Sequence, residues 1–189
     1  MEENSKRKLP QLVMKKDNLI NLPQLVLPIG YSVRTYKPGD EYAWDSIIKD
    51  AFNWEGVSFK DTILSKSEFL PERVFFICYD DIPIATATAW YDPKWGDTTG
   101  YLHMVGVAKK HTGKGLGFQV SLAALHQMAK EGREFAVLQT DDFRLPAIKT
   151  YLKLGFKPVI VDENQIERWN AIFKQMGIND VSAEYGVTT

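Results

Sequence analysis

The chain has 189 residues, enough for one domain with a substantial core. A formal net charge of -1, with 44% hydrophobic and 25% charged residues, excludes a polyelectrolyte drawn to nucleic acid or an anionic membrane. No apolar run reaches the ~18 residues of a membrane span, and the charged N-terminus lacks a signal-peptide core. Cys78 is the single cysteine, so no intrachain disulfide forms and a cytoplasmic, reducing location is expected. It lies in the apolar run Val74–Tyr79 and reads as a small buried hydrophobe rather than a nucleophile.

Residues 1–29 read as an N-terminal arm. The string LPQLV occurs at Leu9–Val13 and again at Leu22–Val26, and each copy carries a proline that disfavours helix. Two copies are too few for a solenoid, so they are expected as extended segments packed on the main sheet or on a partner subunit. Tyr31–Tyr36 alternates as a strand does, and Pro38-Gly39-Asp40 supplies a turn and a helix cap before Glu41–Phe52. A second helix is expected over 58–66. Between the two lies the aromatic loop Phe52-Asn53-Trp54-Glu55-Gly56. Val74–Tyr79 and Ile82–Tyr91 flank Asp80-Asp81 as a hairpin, and Ala85, Ala87 and Ala89 share a face that a helix can approach closely.

Tyr101–Val107 is the next strand, and a long helix runs from the glycines that follow to about Glu131. Phe118, Leu122, Leu125 and Ala129 form its buried stripe, and Gly132 ends it. Phe135–Gln139 is a short buried strand, Arg144–Leu154 a helix stopped by Gly155, and Phe156–Val161 a further strand. A last helix spans Asn164–Met176. Strands and helices alternate through this half, which predicts an α+β domain over residues 30–178: a mixed central sheet flanked by helices on both faces, with an extended N-terminal arm and a C-terminal helix. Residues 179–189 read as a polar tail.

The segment Lys109-Lys110-His111-Thr112-Gly113-Lys114-Gly115-Leu116-Gly117 joins an apolar strand to an amphipathic helix. Glycines let the backbone approach an anion, and the first helical N–H groups have no intrahelical partners. With the helix dipole and the lysines they form a phosphate cradle; a plain tight turn is the alternative. The P-loop string is absent, and the spacing G-x-G-x-G departs from the dinucleotide fingerprint G-x-G-x-x-G.

A third pattern fits. Thr112-Gly113-Lys114-Gly115-Leu116-Gly117 resembles motif A of the GNAT superfamily of N-acetyltransferases, Gln/Arg-x-x-Gly-x-Gly/Ala, with Thr112 where Gln or Arg is usual. Downstream, Ala147, Tyr151, Gly155 and Phe156 are in register with the family's N-x-x-A-x-x-x-Y-x-x-x-G-F, and Arg144 replaces its Asn. The resemblance extends from Tyr31 to Val161 and is strongest from Tyr101 to Phe156.

It implies a GNAT fold and acetyl-coenzyme A as the acyl donor. Thr112, Gly113, Lys114, Gly115, Leu116 and Gly117 would bind the pyrophosphate, with Arg144 as a further coenzyme contact. The strands Met104–Val107 and Phe135–Gln139 would splay apart, with Gly106 permitting a bulge. The pantetheine arm would then pair with Val105 and Val107, and the Val105 N–H would polarise the thioester carbonyl. Tyr151 matches the family's general acid. A thiol near ~8.5 and a phenol near ~10 make hydrogen-bond donation, rather than full proton transfer, its natural part.

An amine nucleophile with a pKa of ~10.4 must lose a proton before attack. His103, two residues before Val105 on the same strand, is the candidate base, with a satisfied structural histidine as the alternative. His111 and His126 read as surface positions, and no metal-ligand spacing is present. Asp141-Asp142 would either lie near the acceptor amine or cap the next helix. Phe52, Trp54, Glu55, Trp90 and Trp95 are candidates for an acceptor pocket. The expected activity is acetyl transfer to an amine by direct attack in a ternary complex. A coenzyme A-binding sensor without chemistry is the second reading, and a binder of some other nucleotide the third. Expected partners are acetyl-CoA and a small-molecule or peptide amine, with no nucleic acid or membrane; a homodimer stays open.

Overall fold

The computed structural model describes residues 9–178; the tail read over 179–189 lies outside them. Seven strands form one sheet: β1 (Leu12–Lys16), β2 (Tyr31–Thr35), β3 (Val74–Tyr79), β4 (Ile82–Trp90), β5 (Thr99–Val107), β6 (Phe135–Thr140) and β7 (Lys157–Val159). Their order across the sheet is β2-β3-β4-β5-β6-β1-β7, and β5–β6 is the one parallel pair of neighbours. The helices are α1 (Glu41–Phe52), α2 (Leu116–Lys130), α3 (Leu145–Lys153) and α4 (Asn164–Gln175). None is long and apolar enough to cross a membrane.

The sheet divides two cores. On one face Trp44, Ile47 and Ile48 of α1 pack with Phe59, Ile63, Val74, Phe76 and Cys78. On the other, Ala85, Ala87 and Ala89 meet Val120, Ala124 and Leu125 of α2, the close approach their alternation predicts. A Cβ on Gly100 would lie 2.5 Å from the Met128 Sδ, so β5 and α2 are in near contact there too.

Local chemistry departs from the sequence reading at two places. Asp40 sits at the N-cap of α1 but makes no side-chain cap bond. Its carboxylate is taken by the Arg34 fork at 2.6 and 2.8 Å and by the Lys37 N–H at 2.7 Å. The helix expected over 58–66 is a single wide turn, Lys60–Leu64, with π-type bonding. Asp80 and Asp81 both adopt positive φ, 47° and 65°, the backbone a two-residue hairpin requires.

The two LPQLV copies have different fates. The first supplies β1, an interior strand antiparallel to β6 on one side and β7 on the other, with Leu12, Val13 and Met14 buried. The second forms no strand and lies along α2: the Val26 N–H donates to Gln119 Oε1 (2.9 Å), and His126 Nε2 bonds the Pro23 carbonyl (2.8 Å). α4 clamps the start of β1, with Gln165 Nε2 donating to the Gln11 carbonyl (3.0 Å) and Arg168 to that of Pro10 (2.9 Å).

Candidate active site

β5 and β6 pair only from Thr99 to Tyr101 against Phe135 to Val137; beyond Tyr101 they part. The cause is a bulge on β5. Thr88 faces His103 and Thr86 faces Gly106, so Met104 and Val105 oppose a single residue of β4 and have no ladder partner there. Met104 carries the distortion, with φ of +50°. Gly106, expected to carry it, serves packing instead. A Cβ there would come within 3.1–3.3 Å of Ile48, Ile47 and Ala51 of α1.

The glycine turn lies at the open end of this fork. A short 3-10 turn, Lys109–His111, leads to Thr112, whose hydroxyl donates to the Lys109 carbonyl at 2.9 Å. Gly113 and Gly115 have φ of +78° and +74°, conformations that a side chain resists, and an added Cβ on either meets open space. Gly115 is the N-cap of α2 and makes no side-chain cap bond. The first helical bond runs from Gln119 N–H to the Gly115 carbonyl, so the preceding N–H groups have no partner within the helix. Leu116 is buried and anchors the helix start. Gly117 has only an ordinary contact to come, 3.7 Å from Val107 Cγ2.

A groove of about 730 Å³ runs from this turn along the β5 edge to α3. Val105, Val107, Thr112, Gly113, Gly115, Leu116, Gly117 and Arg144 line it. Lys114 does not: its Nζ donates to the Tyr31 hydroxyl at 2.8 Å and sits over that ring. The groove's cationic side chains are Lys109, Lys149 and Lys153 together with Arg144, and His111 lines it beside the turn. The two α3 lysines are not among the residues that the sequence singled out. Open backbone at the turn with lysines beyond it fits a pyrophosphate and a further phosphate.

On the other side of Tyr151 lies a smaller pocket of about 270 Å³. Phe52, Trp54, Tyr101 and His103 form its aromatic wall, and Gln11, Gln139 and Asp141 its polar one. Trp90 lies outside, 6.0 Å from the His103 ring, and Trp95 packs beside Tyr101 at 6.4 Å. Glu55 is exposed and pairs with Lys49. Asp141 caps nothing; its oxygens accept from Gln11 Nε2 (3.1 Å) and Arg144 Nε (2.8 Å). Asp142 is held outside the pocket by Arg168 at 2.6 Å. Tyr101 and Gln139 are pocket residues the sequence reading passed over. The Tyr101 hydroxyl donates to Gln139 Oε1 at 3.2 Å, across the mouth of the fork.

Tyr151, 7% exposed, lines both cavities, as do Val105, Arg144 and Ala147. Burial raises its phenol well above the ordinary value, opposed by the Arg144 charge. Burial likewise pushes Tyr101 up to about 12. His103 is pushed down to about 4, mainly by burial and further by Lys94. At neutral pH the junction therefore holds two protonated phenols and an uncharged imidazole. His111 Nδ1 is hydrogen-bonded with the Tyr31 hydroxyl at 3.0 Å, beside the turn.

Comparison with known proteins agrees with this geometry. Residues 40–156 match the family model described as the acetyltransferase (GNAT) family. The mycothiol acetyltransferase of Nocardia farcinica is 31% identical over 159 residues, covering 75% of this chain and 50% of that protein. Its counterpart in Thermomonospora curvata is 29% identical over 161 residues, covering 75% and 49%. The chain thus spans about half the length of the curated relatives it matches. Among solved structures, a GCN5-related N-acetyltransferase from Kribbella flavida superposes with a TM-score of 0.56 at 23% identity, over 80% of this chain and 55% of that one. The ribosomal-protein-S18-alanine N-acetyltransferase of Escherichia coli gives 0.58 at 17% identity, over 69% and 79%. Those structures share the fold, and the family model spans the α1 helix, the fork, the glycine turn and the Tyr151 helix: the chain belongs to the acetyltransferase (GNAT) family.

Proposed function

We propose that this chain transfers an acetyl group from acetyl-coenzyme A to a primary amine, by direct attack with both substrates bound. One observation carries the reading: Tyr151 lies where a long groove beginning at the glycine turn meets a separate aromatic pocket. A donor in the groove and an acceptor in the pocket would meet at its hydroxyl.

In this reading the N–H groups from Gly113 to Gly117 hold the pyrophosphate, the Thr112 hydroxyl braces the turn through the Lys109 carbonyl, and Lys149 and Lys153 add charge along the groove. Lys114 contributes its backbone first, and its ammonium only by leaving Tyr31. Val105 and Val107, on a strand edge that β6 has vacated, pair with the pantetheine arm, and the Val105 N–H polarises the thioester carbonyl. The Tyr151 phenol, kept protonated by burial, donates a hydrogen bond to the departing sulfur.

His103 accepts a proton from the acceptor amine through water. With a pKa of about 4 it is uncharged across the physiological range, so it passes the proton on rather than retaining it. The pocket's one carboxylate, Asp141, already faces Arg144, which leaves its walls close to neutral. That favours a small, largely uncharged acceptor over one bearing several charges.

The deciding experiment is thiol release from acetyl-coenzyme A across a panel of amines, amino acids, amino sugars and peptide N-termini. Turnover with one acceptor class supports the proposal. Coenzyme A binding without turnover on any of them makes the chain a coenzyme sensor instead.

A further inference from the structure

Arg144 stands at the wall common to the groove and the pocket. Its place follows from sequence: it precedes Leu145-Pro146, where the proline opens α3 and the residue before the helix is fixed in a non-helical conformation (φ -86°, ψ 47°). Three contacts hold the side chain. Nε donates to Asp141 Oδ2 at 2.8 Å, and the guanidinium carbon lies 4.0 Å from the Phe52 ring centroid and 5.2 Å from that of Phe143. The side chain is only 16% exposed.

A guanidinium has five N–H donors, and here one is used. Among the described residues the two terminal nitrogens have no acceptor. Four donors on a mostly buried, permanent cation, at a wall that faces both cavities, call for an anion supplied by a ligand. Asp141 offsets part of the charge but occupies only the Nε edge.

Acyl transfer at this junction develops negative charge that needs such a partner. The amine nitrogen bonds to the carbonyl carbon, and the carbon–sulfur bond breaks with its electron pair going to sulfur. The amine proton leaves through the pocket. A phenol as deeply buried as that of Tyr151 gives up its proton less readily than the thiol would, so it can donate a hydrogen bond without neutralising the sulfur. We propose that Arg144 supplies the missing charge: its free N–H groups, with the Tyr151 hydroxyl, stabilise the departing thiolate, and coenzyme A leaves as the anion. This rests on the acetyl-transfer reading and adds a catalytic residue to it.

The titratable and charged groups around the junction are Tyr151 on α3, Tyr101 and His103 on β5, and Asp141 after β6; Lys149, Lys153, Lys109, His111 and Asp50 lie along the groove. Among the described residues, Arg144 is the only cation at the wall shared by both cavities.

The test reads the thiol of coenzyme A bound to the full chain. Calorimetric affinities for coenzyme A and desulfo-coenzyme A, compared from about pH 6 to about pH 10, isolate the thiol's contribution. In the unaltered protein the bound thiol is expected to titrate at least about one unit below its free value of ~8.5. Arg144→Gln should raise it by about one unit, a roughly threefold loss of preference for coenzyme A over the desulfo compound at pH ~8 that approaches tenfold by pH ~10. The turnover number should fall about tenfold or more, with acceptor KM changed less than about threefold. Arg144→Lys, which keeps a cation, should retain most of the thiol shift; it serves also if the Gln variant folds poorly. A bound thiol at its free value, or one that Arg144→Gln and Arg144→Lys leave unmoved, overturns the assignment. Binding of neither compound by the unaltered protein sinks the acetyl-transfer reading itself, an outcome distinct from the loss of Arg144's role alone.

Discussion

His103 and Tyr151 show how burial dominates the protonation state of a site. Both sit against aromatic and aliphatic side chains, and low local polarity disfavours each charged form: imidazolium in one case, phenolate in the other. Replacing Tyr151 by Phe removes the hydroxyl while keeping the packing against Phe156. The turnover number is expected to fall by about 10²-fold, with coenzyme A affinity nearly unchanged by calorimetry. His103→Gln should lower the rate at neutral pH and recover part of it as pH rises and the amine deprotonates itself. The unaltered enzyme's kcat/KM profile should show no break near pH 6.5, since the imidazole is already neutral there.

His103 also predicts an effect on stability. Its folded pKa is depressed to about 4 from 6.5, so below pH 6.5 the unfolded chain takes up a proton that the folded one refuses. Its contribution is therefore complete above pH 6.5 and lost as pH falls towards 4, at up to about 1.4 kcal/mol per pH unit. Urea unfolding of His103→Gln should lack that part of the slope. An unchanged slope would remove His103 as its source.

The fork and the glycine turn are each made by a few backbone conformations within one element. Gly115→Ala places a Cβ at φ of +74°, which costs about 1 kcal/mol of strain and rotates the N–H groups that follow. Coenzyme A should bind about tenfold more weakly, readable by thermal shift, with the fold retained. Gly106→Ala acts differently, pressing a methyl against three α1 side chains at 3.1–3.3 Å. A loss of about 1–3 kcal/mol in urea unfolding is expected. Both glycines were conspicuous in the sequence, but Met104 was not. Nothing local marks a methionine for positive φ, and only the pairing of β5 with β4 on one side and its release from β6 on the other puts the bulge there.

For the whole molecule, the decisive feature is that the first strand of the chain lies inside the C-terminal half of the sheet. β1 separates β6 from β7, and Gln11, just before its start, reaches Asp141 in the aromatic pocket. Integrity of that pocket thus depends on contacts 130 residues apart in sequence. Leu12→Ala, at a fully buried position, should cost about 2–5 kcal/mol by denaturant titration. It should also weaken acceptor binding more than coenzyme A binding, because the groove is built from β5, α2 and α3.

The sequence by itself determined the glycine turn, the α2 stripe, the alanine face of β4 and the placing of Tyr151 one helix downstream of the turn. These are local patterns, set by backbone preference and hydrophobic period over a few turns. Tertiary structure alone decided which LPQLV copy becomes a strand, that Lys114 turns to Tyr31 while Lys149 and Lys153 face the groove, and that Asp141 meets Gln11 and Arg144. Strand partners and side-chain directions at a cavity wall depend on which distant elements are packed alongside. A local pattern specifies what a segment is able to bury, and the packed fold specifies against what.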